Sequence, residues 1–225
     1  MRNRNPNIRN GLTAILLLGL ATTIASCTTA GYAIQERFGI EKRDILVNRV
    51  EDVATAQGDA KEEFANALEA FRSVVAVDGG DLEENYDRLS KAYDRSESRA
   101  DDVRNRIISV NRVATDLFSE WESELGQYSD AGLRRASQSQ LDDTRERYET
   151  LHAKMNAASA SMDPVLTVFS DRVLFLKHNL NARAIAAIGA ESQDLETDVA
   201  RLIEDMERSI AEADAFIAEF KGANT

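Results

Sequence analysis

From Leu82 to Trp121 the apolar positions keep one unbroken rhythm. Leu82, Tyr86, Leu89, Tyr93, Ser96, Ala100, Val103, Ile107, Val110, Ala114, Leu117 and Trp121 follow in alternating steps of four and three. That is the 3.5-residue period of a coiled-coil seam, with Ser96 its one polar member. A helix of this length runs about 60 Å. A stripe that long must be covered, either by other parts of the chain or by a second copy, so a homo-oligomer is an open alternative.

The same rhythm recurs on both sides. Leu46, Val50, Val53, Gln57, Ala60, Phe64, Ala67, Phe71 and Val74 predict a helix over 41–76, with Gln57 polar in the seam. Gly79 and Gly80 then permit a reversal, and Asp81 with Glu84 has capping-box spacing for a new helix at Leu82. So short a connection makes the two helices antiparallel neighbours. On the outer face, Glu84/Arg88, Asp87/Lys91 and Asp102/Arg106 are acid-before-base pairs four apart. Val113, Phe118 and Leu125 widen the apolar surface toward the end of this helix, which predicts more than one neighbour there.

After a break at 126–132, Leu141, Thr144, Tyr148, Leu151, Met155, Ala158 and Met162 mark a third helix starting near Leu133. Asp163-Pro164 predicts a kink or a fresh start, with Asp163 as cap and Pro164 in the first turn. Val165 to Ile188 is the most apolar part outside the N-terminus and reads as a helix buried among several others. Its charges rule out a membrane span. The last helix, about Asp194 to Phe220, sets Leu195, Val199, Leu202, Met206, Ile210, Ala213, Ile217 and Phe220 on one face. The fold expected is all-α: an elongated antiparallel coiled-coil bundle of four to five helical segments over 41–221.

The first 26 residues differ in kind. Three arginines (Arg2, Arg4, Arg9) precede a short apolar run from Leu12 to Ile24, then Ala25, Ser26 and Cys27. This is the layout of an export signal, too short to span a bilayer comfortably. Ile24-Ala25-Ser26-Cys27 resembles the lipobox of bacterial lipoproteins, whose cysteine receives a diacylglycerol after cleavage just before it. Cys27 is the single cysteine of the chain and has no internal disulfide partner. Two or more acyl chains would hold the protein stably on a bilayer. The expectation is therefore a signal peptide over 1–26, a lipidated tether over 27–40 and a periplasm-facing envelope protein. Thr28, where an Asp tends to mark inner-membrane retention in that class, points to the outer membrane.

Charge narrows the partners. The chain of 225 residues carries −12, and loss of the three N-terminal arginines makes it −15. Such a surface argues against nucleic acid. The stretches EKRDILVNRVEDV (41–53), VDGGDLE (77–83), FSEWESEL (118–125), FLKHNLNARAIA (175–186) and EADAFIAEF (212–220) resemble an uncharacterised bacterial family, domain of unknown function 2959. The resemblance implies an exported, mostly helical protein and no activity, cofactor or site.

Candidate chemistry is sparse. No phosphate-binding P-loop, HExxH motif or GxSxG elbow is present, and His152 and His178 stand apart from any cysteine or histidine cluster. The reading is of a non-enzyme with no cofactor and no metal. One polar group interrupts the apolar 165–188 stretch: Lys177, His178, Asn179, Asn181 and Arg183. It is either a partner or ligand contact, or a set of side chains that reach solvent or acids on neighbouring helices; the second reading is the plainer. Trp121 and Tyr128 are expected to pack the bundle end. The function expected is a scaffold or spacer presenting surfaces to other envelope proteins. A periplasmic binding or chaperone-like adaptor using 165–188 is the alternative, and an exposed apolar groove would mark it.

Overall fold

A computed structural model describes residues 42–76, 82–189 and 192–222. Among them there are six helices and no strand: α1 (Lys42–Val75), α2 (Leu82–Leu125), α3 (Ala131–Ala160), α4 (Met162–His178), α5 (Ala182–Gly189) and α6 (Ser192–Gly222). Cys27, Thr28 and the Asp81 cap lie outside the described residues.

The helices form a four-column antiparallel bundle. Arg95–Glu63 at 2.9 Å and Arg99–Asp59 at 3.4 Å tie α2 to α1 in opposite senses. Arg72–Glu196 at 2.9 Å and Lys61–Glu207 at 3.1 Å do the same for α6 on α1. The fourth column is shared. α3 covers the half of α2 nearer its C-terminus, where Arg145 meets Glu122 at 2.7 Å. α4 covers the other half, where Arg104 meets Asp163 at 2.5 Å. These exposed pairs fix register more than they add stability. α2, with 44 residues, is about 66 Å long and matches the stacked α3 and α4.

The core follows the seams. Every position from Leu82 to Trp121 in the predicted rhythm is buried or half-buried, and every predicted seam position of α1 is buried. One chain therefore covers its own stripes. Ser96 sits in the core with its hydroxyl donating to the carbonyls of Ala92 (3.0 Å) and Glu63 (3.2 Å), so its burial leaves nothing unsatisfied. Val113, Phe118 and Leu125 are buried as expected, and the Phe118 ring meets Tyr148 edge-on at 5.5 Å. Glu84–Arg88 and Asp102–Arg106 form as the spacing predicts.

Three expectations are corrected. The 165–188 stretch is two helices, because the backbone leaves helical geometry at Asn179 and Asn181 starts α5 by accepting from the Arg183 and Ala184 amides, both at 3.1 Å. α4 begins at Met162 after Ser161, so Asp163 lies inside its first turn and is not its cap. In α6 the buried face runs through Leu195, Val199, Leu202, Met206, Ser209, Ala213, Phe216, Ile217 and Phe220. Ile210 is only half-buried; strict four-three stepping places Ser209 inward in its stead.

Candidate functional site

The end of the bundle where the described chain begins gathers the N-termini of α1 and α3 and the C-termini of α2 and α6. Arg43, in the first turn of α1, is its centre. Its guanidinium carbon lies 5.8 Å from the Trp121 ring centroid and 5.2 Å from that of Phe220. A cation over two aromatic faces is held by their quadrupoles. Phe220 is itself stacked on Phe216 at 5.1 Å.

Arg43 differs from the cations around it. Lys42 pairs with Glu120 at 2.7 Å, Arg147 with Glu219 at 2.7 Å and Lys221 with Glu51 at 2.7 Å. Arg43 has no ion pair among the described residues, and its Nε is buried without a hydrogen-bond partner. It forms a shared wall of two clefts. One, about 200 Å³, lies toward α3 and α6 and includes Thr144, Asp143 and Arg147. The other, about 400 Å³, lies between α2 and α3 and includes Trp121, Tyr128, Leu133 and Glu124. Gln140 lines both.

Trp121 packs the end as expected, its Nε1 donating to Ser137 Oγ at 2.8 Å. Tyr128 departs from expectation: it is exposed, as is Leu133 one turn into α3, and both line the larger cleft. The sequence reading missed Arg43. Its one signal was register: Arg43 stands three residues before Leu46, in step with the predicted seam and just ahead of its first apolar member.

The sequence-predicted polar group lies elsewhere. Lys177, His178, Asn179, Asn181 and Arg183 surround the junction of α4 and α5, and all five are exposed. They are not set inside a buried helix: the helix ends among them. Lys177 and His178 occupy the last turn of α4, where positive charge suits the helix dipole, and Asn179 Nδ2 donates to the Phe175 carbonyl at 3.1 Å. Asn181 caps α5, as described above, and the Arg183 side chain is exposed.

A third, more open cleft of about 490 Å³ between α2 and α4 holds Tyr93, Glu97, Asp101, Asp163 and Asp171 around Arg104, which bridges Asp101 (2.6 Å) and Asp163 (2.5 Å). Burial raises the Tyr93 phenol there and, more strongly, that of Tyr148, whose hydroxyl donates to Asn111 Oδ1 at 3.0 Å. Burial also lowers His152, which stacks on Tyr148 at 5.6 Å. The hydrogen bond from Arg72 lowers Glu196. Among the described residues no group of three or more metal-ligating side chains converges, and no helix is long and apolar enough to cross a membrane.

The chain matches, over residues 31–220, the family described as protein of unknown function DUF2959, and it belongs to that family. No curated protein matches it. No solved structure matches it either.

Proposed function

We propose that this protein is a non-catalytic spacer of the bacterial cell envelope, lipidated at Cys27 and facing the periplasm from the outer membrane. It presents the outer faces of its helices to other proteins. The observation that supports this reading is the closure of the bundle: a single chain covers its own long seams and leaves a filled core. A body of that kind transmits position rather than chemistry.

The adaptor alternative needs an apolar groove in 165–188. Leu174 and Phe175 are exposed there, consecutive on α4 and so pointing in different directions. These two side chains make no groove, and the open cleft beside this stretch, between α2 and α4, is lined mainly by charged and hydroxyl side chains, which favours the spacer. The test is growth with labelled palmitate followed by membrane fractionation. Label that disappears in Cys27→Ala supports the anchor, and an unlabelled, freely soluble native protein refutes it. Crosslinking in intact envelopes then identifies what the helices face.

A further inference from the structure

We propose that the paired clefts around Arg43 form a binding site for the free C-terminal end of a peptide, its carboxylate taken by the Arg43 guanidinium. The site goes beyond a spacer role and stands whether or not the chain is anchored. Four observations converge on it.

Arg43 is a partly buried cation without an ion pair among the described residues, although the neighbouring Lys42, Arg147 and Lys221 all have one. A buried guanidinium N–H without an acceptor is costly, and a planar carboxylate is the group that matches the guanidinium fork. The cation–π contacts with Trp121 and Phe220 restrain the guanidinium before any ligand arrives, which lowers the ordering cost of binding.

The second observation concerns the acids. Glu120 and Glu219, which line the clefts, are neutralised by Lys42 and Arg147. Asp143 and Glu124 line the smaller and larger cleft with no basic partner among the described residues. Their charge disfavours a multiply charged anion such as phosphate. It suits a ligand with one carboxylate followed by N–H donors, which is a peptide end.

Third, Gln140 lines both clefts and offers an amide donor and acceptor to a peptide backbone. Fourth, exposed Tyr128 and Leu133 give the larger, otherwise mainly polar cleft two apolar contacts for a side chain of the ligand. Convergent polar groups beside a small apolar contact suit the end of a peptide.

Trp121 is the single tryptophan of the chain, so its emission reports on the site directly. The experiment titrates the full chain with acetyl-Ala-Ala-Leu, with the same tripeptide as its C-terminal amide, and with inorganic phosphate. The expected result is a saturable change with the free acid and at least tenfold weaker binding of the amide. In Arg43→Gln that difference disappears, while Arg43→Lys retains part of it. Equal affinity for acid and amide, no saturable response to either, or a response to phosphate alone overturns the proposal. Because acid and amide are compared on the unaltered chain, the result stands even if Arg43→Gln fails to fold.

Discussion

Trp121 donates its indole N–H to the Ser137 hydroxyl across 2.8 Å and thereby joins the end of α2 to the start of α3. In the turn between them, 126–130, the Tyr128 phenol donates to the same hydroxyl at 3.5 Å, and the Asp130 side chain caps α3 by accepting from the Gly132 and Leu133 amides. Ser137→Ala leaves a half-buried indole donor unpaired. The expected cost is about 1 kcal/mol. Urea denaturation followed by Trp121 emission checks it, and an unchanged midpoint speaks against a structural role for this bond.

The middle of the bundle carries a polar layer. Gln57 and Ser209 are both fully buried, and neither the Gln57 amide nor the Ser209 hydroxyl has a hydrogen-bond partner among the described residues. The Lys61–Glu207 pair sets Gln57 level with residue 211, so Ser209 is displaced by about 3 Å along the axis. Ser209→Ala removes an orphan hydroxyl and adds a better helix former. It should raise stability by about 1 kcal/mol, measured as a higher melting temperature. A fall in melting temperature would mean the hydroxyl is satisfied in solution.

Gly189 closes α5 against the end of α1. A Cβ at this position would lie 2.8 Å from Val75 Cγ1, and a β-branched neighbour has little room to turn. Gly189→Ala is expected to destabilise by about 1–3 kcal/mol through overpacking. Recovery in the double variant Gly189→Ala, Val75→Ala separates the clash from a backbone effect.

His152 makes stability depend on pH in one direction. Burial lowers its folded pKa below the ordinary 6.5, so the unfolded chain binds the proton more readily. Its contribution is complete above about pH 6.5 and is lost as pH falls through the folded value. Melting temperatures at pH 7.5 and pH 5.5 should therefore differ, with the lower value in acid. His152→Gln should shrink that difference; an equal difference in the variant would assign it to other groups.

The polar residues at the α4–α5 junction should separate by role. Asn181→Ala loses a helix cap and should cost about 1 kcal/mol. Asn179→Ala and Arg183→Ala, both exposed, should stay within about 0.5 kcal/mol. A loss of function in Arg183→Ala without loss of stability would support a contact role for this group.

Much of the fold was legible because seams are local. The four-three rhythm of α1 and α2 needs only neighbouring residues, and both helices follow it to the predicted positions. Two local rules competed with that rhythm and misled it. Hydrophobicity favoured Ile210, while strict stepping put Ser209 inside. Apolar content favoured one helix over 165–188, while the Asn181 side chain could cap a new one. The clefts around Arg43 were illegible for another reason. Arg43, Trp121, Gln140 and Phe220 come from four helices far apart in sequence, and only the register of the whole bundle brings them to one end.

The proposed spacer role rests on each chain closing its own bundle. Spin labels at positions 61 and 207, which face each other across α1 and α6, measure this by pulsed electron resonance. The expected result is one short distance whose amplitude is unchanged when labelled chains are diluted into a large excess of unlabelled ones before refolding. A short distance that fades on dilution would place α6 on a second copy and contradict the self-contained bundle.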